Sequence, residues 1–320
     1  ILAVWGFKLV VRDVSGVPVI RAIQGEARTA PDNPGGELTE RTGLAVNNVA
    51  AGREAGQVDR VAIAPQATGL GEQDVPMGEL GAKEKPEFVV ALGDNFYETG
   101  VKSATDPRWK TSVEDVYTAP SLQVPWYAVL GNHDGYGNPD AQIEYARTSK
   151  RWRMPAKWYS VQQKLSDGTA VDLLFLDSDP YQGITADRLV AAGHLKPTDT
   201  TAQIAWIDSA LAASKAPWKL VFLHHPLRSH GSHHEEAKIM AQRFEAKFAK
   251  AGVAAVFAGH DHDLQHILEP GIPVHHFVSG AGSQVRKVKT KKNTLFAASV
   301  PGFMSISVTP RAMTVDVVDS

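Results

Sequence analysis

Four short stretches of this chain share one pattern of apolar and polar positions. Phe88-Val-Val-Ala-Leu-Gly-Asp94 is an apolar run followed by a glycine and a carboxylate. Trp126-Tyr-Ala-Val-Leu-Gly-Asn-His-Asp134 repeats it and ends in an amide, an imidazole and a carboxylate. Lys219-Leu-Val-Phe-Leu-His-His-Pro226 and Val253-Ala-Ala-Val-Phe-Ala-Gly-His-Asp-His262 each end in a pair of imidazoles. Unbroken apolar runs of this length read as strands buried on both faces in a helix-covered sheet. A glycine at the strand end lets the backbone turn or approach a neighbour closely. Polar groups at the carboxyl ends of such strands lie where open α/β sheets bind ligands.

Further strands are expected at Val171–Asp177, His275–Ser279, Phe303–Val308 and Met313–Val318. Thr200-Thr-Ala-Gln203 forms a capping box, opening a helix with Ile204, Ile207 and Leu211 on one face that stops near Pro217. Glu235–Ala251 is a second helix, with Ile239, Phe244 and Phe248 as its apolar face and Gly252 as its stop. Near the start, Lys8-Leu-Val-Val-Arg-Asp13 is a candidate strand ending in a carboxylate. From Ala22 to Lys85 the pattern is weak and rich in Gly, Pro, Ala and Glu, so loop is expected there. No composition shift marks a boundary, and residues 1–320 are read as one catalytic domain.

Composition narrows the chemistry. The formal net charge is −2, without the basic surplus of a general nucleic-acid binder. The longest apolar runs, about eight residues, fall far short of the roughly 20 that span a bilayer as a helix. With no cysteine in the chain, thiolate metal sites, disulfides and thiol nucleophiles are excluded. Any metal must be held by His, Asp, Glu, Asn or Tyr. All 12 histidines lie at or after His133, and seven fall between His224 and His262. Of these, His233 and His234 sit in a polar run that reads as a solvated loop, whereas His224, His260 and His262 follow apolar strands directly. Asp94, Tyr97, Asn132, His224, His260 and His262, with Asp13 as a further carboxylate, offer the mixture of hard oxygen and imidazole donors that suits two adjacent metal ions.

In order and wording, Gly93-Asp-Asn-Phe-Tyr97, Gly131-Asn-His-Asp134, His224-His-Pro226 and Gly259-His-Asp-His262 resemble the purple acid phosphatases, most closely the small, tartrate-resistant kind. The resemblance also covers Val124-Pro-Trp-Tyr127, Ser149-Lys-Arg-Trp152, Asp263-Leu-Gln265 and Ser279-Gly-Ala-Gly282, and is continuous from about Pro86 onward. It implies the α/β metallophosphoesterase fold, a four-layer αββα sandwich of two mixed sheets flanked by helices. It also implies hydrolysis of phosphate monoesters by hydroxide held at an Fe(III)–M(II) pair, where M is Fe, Zn or Mn. Asp94 would bridge the ions; Asp13, Tyr97 and His262 would hold the ferric ion; Asn132, His224 and His260 would hold the divalent one. His133 and His230 would be the catalytic, substrate-facing histidines, with His225 in the wall of the substrate pocket.

The first motif departs from the family, because Arg12 and Ser15 stand where its pattern has glycines around Asp13. Divergence, a degenerate site and an error in the recorded sequence all stay open there. Asp134 and Asp261 are expected to orient imidazoles, and the basic run Arg286–Lys292 to be a solvated loop, with attraction of anionic substrate as the other reading. The partner implied is a phosphate-ester substrate, not nucleic acid or a membrane, with oligomeric state left open and a monomer the simplest case. A secreted or periplasmic location is implied by the resemblance, although no signal segment is visible at Ile1. Two other readings remain. One is another metallophosphoesterase: a phosphodiesterase, nucleotidase or protein phosphatase. The other is a non-catalytic relative that binds metal or phosphate.

Overall fold

A computed structural model describes residues 8–12, 18–21, 59–64, 74–194 and 199–319. Strands β1 (Lys8–Arg12), β2 (Pro18–Arg21), β3 (Asp59–Ala64), β4 (Phe88–Ala91), β5 (Trp126–Ala128) and β6 (Trp152–Arg153) lie in one sheet. A second sheet holds β7 (Tyr159–Lys164), β8 (Ala170–Phe175), β9 (Trp218–Leu223), β10 (Ala255–Ala258), β11 (Leu264–Leu268), β12 (His275–Ser279) and β13 (Thr294–Ala298). The chain then returns to the first sheet with β14 (Gly302–Val308) and β15 (Ala312–Asp319). The strand orders are β2-β1-β15-β14-β3-β4-β5-β6 and β13-β11-β12-β10-β9-β8-β7. Both sheets are mixed: β3 to β6 are parallel neighbours, as are β8, β9, β10 and β12, with antiparallel strands outside them. The helices are α1 (Asp74–Glu84), α2 (Asn132–Gly135), α3 (Asp140–Ala146), α4 (Gly183–Ala191), α5 (Asp199–Ala213) and α6 (His234–Ala251).

Alternation along the second sheet explains the layering. Leu173, Phe175, Leu220, Phe222, Phe257 and Phe277 join the core shared with the first sheet. Their neighbours Leu174, Val221, Leu223 and Val256 face the other way, onto Ile207 and Leu211 of α5 and Met240, Phe244 and Phe248 of α6. Helix α1 lies against β3 and β14 on the far side. The result is helix, sheet, sheet, helix, the sandwich expected of the fold.

Inside the shared core, aromatic rings stand in register across six strands. Tyr159 pairs with Phe175, Phe175 with Phe222, Phe222 with Phe257, Phe257 with Phe277, and Phe277 with His266. The rings stack in that order at 4.6, 5.2, 5.4, 4.9 and 4.2 Å between centroids. Each offset pair adds about 0.5–1.5 kcal/mol beyond its area burial. The ladder thereby favours one strand register over its neighbours.

Three expectations are corrected. The stretch from 22 to 85 is not all loop, since it supplies β3 and α1. Pro76 and two glycines hid α1, and Gly78 and Gly81 lie close beneath Tyr117 and Leu122. Gln203 does not reach back to cap α5; buried, it accepts from the Asp177 amide (3.0 Å) and donates to its carbonyl (2.9 Å). On α6, Ile239 is exposed and Met240 takes the buried position, while Gly252 ends the helix at φ 71°. The strand expected at Lys8 is present as β1, but Asp13 lies outside the described residues.

Phe222 is fully buried between two stacked rings. Phe222→Ala is expected to lower unfolding free energy by about 3–5 kcal/mol in a denaturant titration. A loss below about 1 kcal/mol would show that the ladder does not hold the sheet.

Candidate metal centre

The carboxyl ends of β4, β5, β9 and β10 deliver the polar residues that the sequence singles out. The His224 imidazole donates from Nδ1 to the Leu92 carbonyl (2.8 Å), tying the end of β9 to the loop after β4. That bond leaves His224 Nε2 aimed into a cluster: 3.2 Å from Asn132 Oδ1, 3.0 Å from His260 Nδ1 and 3.4 Å from Asp94 Oδ2. His260 donates from Nε2 to Glu236 Oε2 (2.8 Å), so its Nδ1 also presents a lone pair. On the other side, the Tyr97 hydroxyl donates to Asp94 Oδ2 (2.7 Å) and lies 3.3 Å from His262 Nε2. Asp94 Oδ2 therefore stands between two donor groups, Tyr97 with His262 and His224 with Asn132 and His260. Asp94 Oδ1 accepts the His133 amide (2.9 Å).

This packing requires the glycines of the motifs. A Cβ on Gly93 would sit 2.6 Å from His224 Nδ1, and one on Gly131 would collide with Asp94. Asp94 and His260 themselves adopt left-handed backbone, with φ of 50° and 63°. That conformation costs on the order of 1–2 kcal/mol per residue and concentrates at functional sites.

Charge shows what the cluster lacks. Burial pushes His224 toward neutrality, but adjacent Asp94 overcomes it and raises the imidazole to about 9. Asp94 itself is held far below the usual carboxylate range by His224, against the opposing effect of burial. Burial, then Arg286, pushes His262 down to about 4. Burial and Asp94 raise the Tyr97 phenol far above its ordinary value, so it stays a donor unless a cation displaces its proton. Lone pairs of two imidazoles, an amide and a carboxylate converge, and a single proton on His224 is the positive charge among them. A donor set of this kind fits cations.

Other residues hold the donors. Asp134, wholly buried, accepts the Asn95 and Gly131 amides, both at 3.0 Å, and that of Phe96 at 3.2 Å. It binds two motif loops together and does not orient an imidazole as expected. Burial, followed by Asp94, raises its carboxyl to about 7. Asp261 does orient one, accepting from the amide and Nδ1 of His233 (2.9 and 3.0 Å) and from the Ser229 hydroxyl. His133 donates from Nδ1 to the Glu98 carbonyl (2.6 Å), and its ring lies against Tyr97 at 4.4 Å. His225 is buried beside His260, its Nδ1 bonded to the Ser178 hydroxyl at 2.9 Å, and a donor atom of its ring lies within 4.8 Å of those of His224 and His260.

His230 is not joined to the cluster by these contacts. Its Nε2 faces Asn293 Oδ1 (3.0 Å) and its amide donates to Gln265 Oε1 (2.8 Å). His233 stands nearer, its ring 4.3 Å from that of His260, and is half-buried, not solvated. Sequence reasoning missed His233 and Glu236. An acidic residue in the first turn of a helix has an ordinary explanation in the helix dipole, and its partner His260 is 24 residues away. His233, Glu236 and His260 also form a group whose donor atoms lie within 4.8 Å of one another.

Outer partners of this kind fix which imidazole nitrogen faces a metal. Glu236→Ala is expected to weaken divalent-metal affinity roughly 10–100-fold in a metal titration. Unchanged affinity would show that His260 is oriented without Glu236.

Residues 75–264 match the calcineurin-like phosphoesterase family. Purple acid phosphatase 17 of Arabidopsis thaliana is 35% identical over 216 residues, 65% of this chain and 62% of that protein. Tartrate-resistant acid phosphatase type 5 of Mus musculus is 32% identical over 249 residues, 73% of this chain and 75% of its own length. Among solved structures, GAP50, the anchor in the inner membrane complex of Plasmodium, superposes with a TM-score of 0.68 at 23% identity, covering 82% of this chain and 84% of that one, a likeness of fold. The chain thus belongs to the calcineurin-like phosphoesterases and, within them, to the purple acid phosphatases.

Proposed function

We propose that this protein is an acid phosphatase that hydrolyses phosphate monoesters at a dinuclear Fe(III)–M(II) centre. The observation that carries the proposal is the position of Asp94 Oδ2, shared between Tyr97 on one side and His224 on the other (2.7 and 3.4 Å). In this reading Asp94 would hold both ions. Tyr97 and His262 would hold the ferric ion, with Asp13 as the carboxylate that the family pattern adds. Asn132, His224 and His260 would hold the divalent ion, Fe, Zn or Mn. A phenolate oxygen suits the harder, trivalent ion, and amide with imidazole suits the divalent one. When bound, such a pair supplies an activated water-derived nucleophile and offsets the charge of the phosphoryl group.

The remaining steps fall to the chain itself. Asp134 keeps the Asp94 and Asn132 loops together, which fixes the spacing of the two donor groups. His133 has its Nδ1 engaged by the Glu98 carbonyl, so Nε2 would be the nitrogen that faces substrate. Protonated, it would donate that proton to the leaving alcohol. His225, packed against the His260 ring, would line the substrate pocket. His230, turned toward Asn293, would reach substrate only after a change of rotamer. No described helix is long and apolar enough to cross a membrane, and the secreted or periplasmic placement rests on the family resemblance.

Tyr97→Phe is expected to abolish visible absorbance of the purified protein while far-UV circular dichroism stays native. Retained colour would contradict the ligand role. His224→Ala is expected to reduce turnover of an aryl phosphate by more than the roughly 10–100-fold that loss of an outer partner costs. Near-native turnover would remove His224 from the centre.

A further inference from the structure

Between β12 and β13 the chain carries Arg286, Lys287, Lys289, Lys291 and Lys292, five cations in seven residues without a carboxylate. All five are exposed, and among the described residues none is in a salt bridge. In a chain of net charge −2 this is a strong local concentration. Most such runs are solvated loops. This one is fastened to the candidate centre at His262 and to the His230 segment outside it. The Arg286 amide donates to the carbonyl of His262 (2.7 Å), and the Lys289 amide to the carbonyl of His230 (3.2 Å). Two further bonds hold its backbone, from Val288 to the Ser299 hydroxyl (3.0 Å) and from Lys291 to the Thr294 hydroxyl (2.7 Å).

The backbone that carries the charges is therefore held in place, starting at the His262 carbonyl. At one end, the Arg286 amide sits directly on the His262 carbonyl. At the other, Lys291 is close enough to His230 to lower its proton affinity, after burial. A carboxylate that feels Lys291, Glu235, is already engaged by Lys238 at 2.6 Å. Holding five like charges together at the rim costs repulsion, and a polyanion would relieve it.

We propose that Arg286–Lys292 forms a second anion subsite, which binds a further phosphate group of the substrate beside the scissile monoester. The favoured substrate class is then a small organic bisphosphate over a monophosphate. This inference rests on the phosphatase reading above. A phosphate monoester dianion is already matched by the metal pair, so the extra cations match an extra charge on the same molecule.

The test compares native protein with the triple variant Lys287→Gln, Lys289→Gln, Lys291→Gln. Three substrates are used: p-nitrophenyl phosphate, fructose 6-phosphate and fructose 1,6-bisphosphate. Exposed charge contacts are individually modest, so kcat/KM for the bisphosphate is expected to fall roughly tenfold, mainly through KM. The two monophosphates are expected to change less than about twofold. An equal change for all three substrates, or none, would overturn the subsite. Loss of all turnover on p-nitrophenyl phosphate in the native protein would instead sink the phosphatase reading. In that case, equilibrium binding still decides the subsite: native protein must bind the bisphosphate more tightly than the monophosphate, and the variant must lose that difference. If the variant misfolds, raising salt on the native protein must weaken bisphosphate hydrolysis more steeply than aryl phosphate hydrolysis.

Discussion

The parallel register of β9 against β10 is the constraint on which the centre depends. Phe222 stands opposite Phe257 and Leu223 opposite Ala258, and the Gly259 amide donates to the His224 carbonyl (3.0 Å), extending the ladder past both strand ends. His224 and His260 then leave the sheet side by side, 3.0 Å apart at Nε2 and Nδ1. A slip of one residue would turn the stacked aromatics out of the shared core and the imidazoles away from each other. Burial of the ladder and placement of the ligands are thus one fact, read at two levels.

What the packing assembles is unfavourable without a cation. Lone pairs converge in a place where Asp94 and His224 are almost wholly excluded from water. The backbone is left-handed at Asp94 and at His260, and glycines stand wherever a Cβ would obstruct the approach. A raised imidazole at His224 and a strongly held phenol proton at Tyr97 are two responses to the same deficit of positive charge around Asp94. Sites of this kind store strain that a bound ion relieves.

Much of the site was legible because its candidate ligands follow contiguous apolar runs and glycines. Asp94, Asn132, His224, His260 and His262 each come a few residues after a strand that periodicity identifies. The outer partners were hidden for a physical reason: Glu236 and His233 act across the fold, through bonds to His260 and Asp261 that no local pattern announces. Asp134 looked like an imidazole partner from its place beside His133, yet its oxygens take backbone amides of two separate loops. Gln203 fitted a capping box locally, and burial against Asp177 overrode it. Helix α1 was missed because its proline and two glycines weaken the local signal that tertiary packing outweighs.

The central claim is that one carboxylate oxygen, Asp94 Oδ2, lies between two cations. Anomalous diffraction from crystals of the purified protein, recorded at the iron edge and at the edge of the second metal found by elemental analysis, tests it directly. The account predicts two peaks, one on the Tyr97–His262 side and one on the His224–Asn132–His260 side, each about 2.0–2.2 Å from the Asp94 carboxylate. A fully active crystal form with a single peak, or with both peaks away from Asp94, would contradict it.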